Sequence, residues 1–332
     1  MDVRLLYITS GIHSLAHLDP NLISGFTELE KKEEHFHFLT FHPGKESITT
    51  LFSKIYSFRP DVIISLRGAL PRQVVDQVRQ TGIPIGLYIV DDPYSFSEHS
   101  VMMQPYSFMI TQDFACLPYY RRQNKRCFYL PLAVNQQLYH PLRVNQRYKS
   151  DICFIASATP IRRQYIDQMA EFLLQKRFLL IGRWWDRLKH YEKLKHGIMN
   201  RTISPVEVAR YYNGAKIVLN IHRSKNDVRR NPLEIPAFTP NNRTFDIAAC
   251  RSFQLVTHRR DLGRFYRLGE EIVSIRGADE MRQKIAYYLN HQRERKGIAT
   301  RAYRRTVREH TYLERLRRFV RIVGVRLLGR YP

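Results

Sequence analysis

Short apolar runs recur along the whole chain, each followed by a polar turn or a segment with helical spacing, and this alternation limits the fold more than any other feature. In the first part the runs cover residues 3–9, 35–41, 61–66, 84–90, 108–111 and 128–132. A helix over residues 48–58 stops ahead of Arg59 and Pro60, and Pro71 suits the first turn of another. The pattern restarts at residues 151–155 and continues with strands at 177–181, 216–223, 253–256 and 271–275. Between them, helices are expected at 161–175, 205–212, from 242 and at 262–268. Strands alternating with helices imply a parallel sheet with helices on both faces, so the expected class is α/β with two Rossmann-like doubly wound domains.

A chain of 332 residues with 44% apolar composition can bury two cores. Residues 131–149 are polar, proline-bearing and weakly periodic. They place a linker at 134–149, between a domain at 1–133 and a second at 150–310, with a basic helix over 311–332. No apolar run reaches the length of a membrane span. The opening MDVRLLYITSG reads as a first strand rather than a signal peptide. Cys116, Cys127, Cys153 and Cys250 lack paired spacing, which fits buried reduced thiols in a cytoplasmic protein.

Charge is unevenly spread. The net +24 resides wholly in residues 141–332, because residues 1–140 carry 13 basic and 13 acidic side chains. No zinc finger, RNP phrase or heptad zipper accompanies it, so nucleic acid is a poor expectation. An anionic ligand remains: a nucleotide diphosphate, an anionic polymer or a membrane surface, the last two as peripheral contacts. Residues 301–330 hold ten arginines and two glutamates, with Leu313, Leu316, Val320, Val323 and Leu327 on one helical stripe.

Candidate chemistry concentrates between Lys216 and His258. The strand KIVLNIHR brings His222 and Arg223 to its carboxyl end, and Asn241 or Asn242 can cap a helix whose first turns carry Arg243, Thr244 and Asp246. Helix-terminal amides and a guanidinium suit phosphate, and a carboxylate one turn on suits ribose hydroxyls. Arg162 and Arg163 follow the small-residue turn Ser157-Ala158-Thr159-Pro160 and offer further phosphate contacts. Asp91 and Asp92 close the apolar run GLYIVDDP. Neighbours on an extended chain point oppositely, which disfavours a shared metal and leaves one of them as a general base. His13, in the first glycine turn, is a second proton-transfer candidate. Glu270 and Glu271 open a late strand and carry only a weak signal.

Five phrases occur in order: YLPLAVNQQLYHP, DICFIASATPIRRQYID, KIVLNIHR, RTFDIAACRSFQLVT and REHTYLERL. Together they resemble the CgeB-like spore-maturation glycosyltransferases, over most of residues 60–316. The resemblance implies a GT-B architecture, in which the amino-terminal domain binds acceptor, the second domain binds donor, and the last helix crosses back to the amino-terminal domain. An active site in a cleft between the domains is the corresponding expectation. It also implies a nucleotide-diphosphate sugar, a UDP-sugar foremost, as donor substrate, with no separate cofactor and no catalytic metal. The acceptor would be a glycan, a protein or a small molecule, at a membrane or spore surface or in the cytoplasm. The chain departs from the family at two points. Asp246 replaces the usual Glu at the ribose position, and Arg251 stands where Gly is usual, where it could narrow the donor pocket or add a phosphate contact. The second departure keeps open a noncatalytic spore-associated or polymer-binding protein.

Overall fold

The structure, a computed structural model, describes residues 2–11, 18–225, 227–228 and 230–329. His13, a candidate for proton transfer, lies outside them. The chain divides into two compact units: Met1–Leu132 with Val228–Ala237 and Thr311–Pro332, and Ala133–Asp227 with Phe238–His310.

The first unit alternates β1 (Val3–Ile8), α1 (Leu18–Lys32), β2 (Phe36–Phe41), α2 (Ile48–Phe58), β3 (Val62–Leu66), α3 (Arg72–Gln80), β4 (Ile85–Ile89), α4 (Phe96–Met102), β5 (Phe108–Thr111), α5 (Leu117–Arg122) and β6 (Arg126–Tyr129). Its strands are all parallel, in the order β2-β1-β3-β4-β5-β6. Every residue of β3, β4 and β5 is buried, as a sheet covered on both faces requires. Helix α2 has the bounds read from the sequence, because both ends are chemically marked. Ser47 accepts the Thr50 amide at 3.1 Å, and Arg59 turns left-handed at φ 48° just before Pro60.

The second unit runs β7 (Ser150–Ile155), α6 (Pro160–Gln168), α7 (Ala170–Leu174), β8 (Phe178–Ile181), α8 (Tyr191–Leu194), β9 (Ile198–Met199), α9 (Pro205–Gly214), β10 (Ala215–Asn220), α10 (Asn242–Ala249), β11 (Gln254–Thr257), α11 (Leu262–Phe265), β12 (Val273–Ile275), α12 (Ala278–Asn290) and α13 (Gln292–Glu309). Its parallel strands follow the order β12-β11-β10-β7-β8-β9. The order reverses between β7 and β10, and ligands of open α/β sheets bind at the carboxyl ends beside such a switch point. Successive residues of β7 feed two cores. Ile152 and Phe154 join Ile217, Leu219 and Trp185 on one face, while Cys153 and Ile155 join Val218, Tyr212 and Ile247 on the other.

The chain ends in α14 (Tyr312–Arg326), capped by Thr311 and grouped with the first unit. Leu313, Leu316, Phe319 and Val323 are its buried stripe, so Phe319 takes the place foreseen for Val320. The helix packs so closely on α1 that a Cβ at Gly25 would lie 2.8 Å from that of Tyr312. Phe319 meets Phe128 of β6 edge-on at 6.5 Å.

Two sequence expectations shift. The sixth strand lies two residues earlier, because Leu130–Leu132 leave the ladder. The helix expected over 161–175 breaks at Met169, whose φ −103° and ψ 7° separate α6 from α7. Among the described residues all four cysteines are buried and free, no helix is long and apolar enough to cross a membrane, and no group of three or more His, Cys, Asp or Glu could hold a metal.

Candidate nucleotide site of the second unit

The carboxyl ends of β7, β10 and β11 and the start of α10 bring most of the expected donor residues together. Asn241 is the cap. Its Oδ1 accepts the Thr244 amide at 3.1 Å, while its Nδ2 donates to Asn220 Oδ1 at 2.9 Å. Asn220 in turn donates to Thr244 Oγ1 at 3.0 Å and Gln254 Oε1 at 3.2 Å, and Gln254 donates to the Thr244 carbonyl at 2.8 Å. One buried asparagine at the end of β10 thus aligns α10 with β11. The amides of Asn242 and Arg243 take no protein acceptor among the described residues, so the first turn offers two donors and the positive end of the helix dipole.

The tautomer of His222 follows from its neighbours. Its Nε2 accepts the Asn241 amide at 3.2 Å, so the ring proton sits on Nδ1, 2.8 Å from Thr257 Oγ1. Burial, reinforced by Arg259, Arg162 and Arg243, holds its pKa well below the usual histidine value. His222 is therefore a neutral prop beneath the helix cap, not the donor-binding group expected. Arg162 also needs correction as a phosphate ligand. It is 3% exposed, and its Nε and NH1 donate to the carbonyls of Ile221 and Ser157 at 2.9 and 3.0 Å, tying β10 to the turn after β7. Thr244, fully buried, likewise spends its hydroxyl on Asn220 and Asn241.

Four further cations are candidates for the phosphates. Arg163 and Arg243 are half-buried with no acceptor for their guanidinium groups among the described residues. Arg223 follows β10. Arg259, not foreseen, donates to the Arg223 carbonyl at 2.6 Å and depresses His222. Its signal in the sequence was its place just past the end of β11. At the start of α6, the Thr159 hydroxyl is buried without a hydrogen-bond partner, an acceptor or donor in search of one.

Asp246 lies one turn into α10, 4% exposed, accepting from Asn242 Nδ2 at 2.9 Å. Burial pushes its pKa well above the usual carboxylate range, against the pull of Arg243 and Asn242. Its charge, added to burial, also raises the phenols of Tyr139 and Tyr212. A carboxyl so placed has Asn242 as a donor and would gain further from two ribose hydroxyls.

Arg251 does not join this group. It sits past the carboxyl end of α10 at φ 55°, exposed, with Nε donating to Thr300 Oγ1 of α13 at 3.0 Å. The site it was expected to reach is at the other end of the helix. Its left-handed backbone explains why glycine suits the position. Glu271 is also committed, to the Arg267 amide at 2.8 Å and its guanidinium.

In the first unit, Asp91 and Asp92 follow β4. Asp92 is 1% exposed, and its carboxylate accepts from His99 Nδ1 at 2.6 Å, Tyr120 OH at 2.9 Å and Thr111 Oγ1. His99 Nε2 faces Arg67 NH1 at 3.0 Å and must accept there, which fixes the proton on Nδ1. Both oxygens of Asp92 are therefore engaged in stapling β4 and β5 to α4 and α5, and the expectation of a general base is corrected for Asp92. Asp91 is half-buried in a left-handed conformation, φ 68°.

Residues 162–321 match a family described as glycosyl transferase-like. The chain is 29% identical over 268 residues to the spore protein CgeB of Bacillus subtilis (strain 168), covering 79% of this chain and 82% of that one. The CgeB-like resemblance read from the five phrases is borne out. Sucrose-phosphate synthase from Thermosynechococcus elongatus superposes with a TM-score of 0.66 at 10% identity, covering 98% of this chain and 100% of that one. Anabaena Alr3699/HepE in complex with UDP gives 0.63 at 10% identity, covering 97% and 100%, and its complex with UDP-glucose 0.61 at 11%, covering 96% and 99%. The fold is that of the GT-B glycosyltransferases, α/β with two Rossmann-like domains.

Proposed function

We propose that this CgeB-like chain of GT-B fold transfers a sugar from a nucleotide-diphosphate donor, with the second unit holding the donor. One observation carries the reading: the first turn of α10 presents two unclaimed amides and Arg243, and Asp246 stands one turn further on the same helix. Diphosphate at the amides and ribose at the carboxyl match the chemistry of each group. Arg163, Arg223 and Arg259 supply positive charge that stabilises the diphosphate as it leaves. Arg162, His222, Asn241 and Thr244 hold this frame without touching the ligand. Complexes of Alr3699/HepE with UDP and UDP-glucose support UDP as the nucleotide. The amino-terminal unit binds the acceptor, a glycan, protein or small molecule, and Asp91 takes the proton from its hydroxyl. With the Asp92 carboxylate engaged on both oxygens, Asp91 and Asp92 form no ligand pair, so the phosphate cations alone are assigned to the leaving group.

The test is calorimetric titration with UDP, followed by hydrolysis of UDP-glucose and related UDP-sugars with and without EDTA. Saturable binding and chelator-resistant turnover are expected. Binding without turnover of any donor or acceptor would favour a noncatalytic protein with a retained fold, and absence of nucleotide binding would end the reading.

A further inference from the structure

A second concentration of positive charge lies elsewhere on the second unit, on the segment leading into β7 and on α9. There a cavity of about 580 Å³ is lined by His140, Arg143, Arg147, Tyr148, Val206 and Arg210, among others. Volumes of this order are typical of small-molecule sites, roughly 300 to 1,000 Å³. No acidic residue lines it. Arg143, Arg147 and Arg210 are exposed, and no carboxylate pairs with any of them among the described residues, although Arg201 nearby is paired with Glu207 at 3.3 Å.

The cations are gathered by a built feature. Tyr148 is 5% exposed, and its phenol oxygen accepts from Arg147 NH2 at 2.6 Å and from Arg210 NH1 at 3.3 Å. The Arg147 guanidinium also lies over the Tyr148 ring, 4.6 Å from its centroid. Two like charges sharing one acceptor stand within about 6 Å of each other and repel, a cost that a bound anion would reverse. The hydrogen bond from Arg210, with that from Arg147, holds the Tyr148 phenol below the usual tyrosine range in spite of burial. Below the guanidinium groups, Leu142, Val144 and Ala209 give an apolar floor.

The arginine end of this cavity is separate from the phosphate end of the candidate nucleotide site. Tyr148 precedes β7, whereas Ser157 and Arg162 follow it, so the six residues of the strand, roughly 20 Å, lie between. We propose that the Arg143–Arg147–Arg210 cavity is a second anion site, which takes phosphoryl groups of a ligand other than the sugar donor. The guanidinium groups grip two or more phosphoryl oxygens in bidentate fashion, and the apolar floor accommodates the group that carries them.

The probe is inorganic tripolyphosphate, titrated by calorimetry into the full chain with UDP present in excess to occupy the donor site. Saturable binding that weakens as salt rises is expected. Arg147→Gln/Arg210→Gln should weaken it at least tenfold and Arg143→Gln severalfold. Arg243→Gln, at the donor site, should change it less than twofold. All four arginines are exposed or half-buried, and thermal melting checks that each variant folds. A second arm uses sedimentation with phosphatidylglycerol vesicles. Vesicle binding lost in the double variant identifies a lipid headgroup as the source, and tripolyphosphate binding alone identifies a soluble one. Affinity unchanged in both groove variants, or abolished by Arg243→Gln, would overturn the proposal.

Discussion

Asp246→Asn should weaken nucleotide binding and raise stability in the same protein. The carboxyl is 4% exposed with Asn242 donating to it, and burial raises its pKa. An acid whose folded pKa exceeds its unfolded value, about 3.9, holds its proton more tightly when folded. Its contribution to stability is therefore full below the unfolded value and declines as pH rises towards the folded one. Asparagine keeps an acceptor for Asn242 and carries no charge, so the variant should melt above the wild type at pH 7 and near it at pH 3.5. Binding moves the other way. A ribose hydroxyl donating to a carboxylate loses the charge-assisted part of the bond, about 1.5 to 3 kcal/mol, or a roughly 10- to 150-fold rise in Kd for UDP. Calorimetry with UDP and with its 2′,3′-dideoxy analogue isolates the contact, because the two proteins should bind the analogue alike. Equal losses for both ligands, or an unchanged Kd for UDP, would remove Asp246 from the ribose position.

Asn241→Ala removes the α10 cap and leaves Asn220 Oδ1 without its donor; adding a cap to a buried unsatisfied acceptor gives a loss of about 2 to 4 kcal/mol in urea melts. A loss under 1 kcal/mol would contradict the hub role of Asn220. Arg251→Gly relieves a left-handed arginine but frees the unfolded chain and drops the bond to Thr300, so stability should stay within about 1 kcal/mol. Affinity for UDP and uridine should not change, and a selective loss for UDP would place Arg251 at the phosphates after all. Asp92→Asn should destabilise the first unit by about 1.5 to 3 kcal/mol, because an amide replaces the charged acceptor of the His99, Thr111 and Tyr120 hydrogen bonds, whereas Asp91→Asn should fold normally and slow transfer at least about 100-fold. A stable, inactive Asp92→Asn protein would reverse these roles.

What could be read from sequence was what neighbours along the chain determine. Helix α2 is marked at both ends by Ser47 and Arg59-Pro60, and the start of α10 by Asn241, so Arg243 and Asp246 could be placed before any coordinates. Roles that depend on a neighbouring strand were not legible. Arg162 carries the same residue type as Arg163, one position away, yet only it reaches the Ile221 carbonyl, because β7 and β10 are adjacent in space and 59 residues separate the partners. The same holds for Asn220 and Arg259. Helix α13 escaped notice because its buried side is Arg295, Ile298, Ala299, Ala302 and Thr306, with one large apolar residue, which makes a weak stripe among many arginines. In Asp91-Asp92 the sequence showed two equivalent carboxylates, and burial made one of them structural.

The position of α14 in the chain sets an order of assembly. The second unit has all its residues by His310, but the first, begun at residue 1, still lacks the helix that covers α1 and Phe128. A ribosome translating this message finishes the middle of the protein before its beginning. Until α14 emerges, Phe26, Leu22 and Phe128 have no Leu316 or Phe319 against them, and that incomplete surface is exposed to chaperones, proteases and other nascent chains. A stop codon just after His310 would spare the candidate nucleotide site and strand the unit made first.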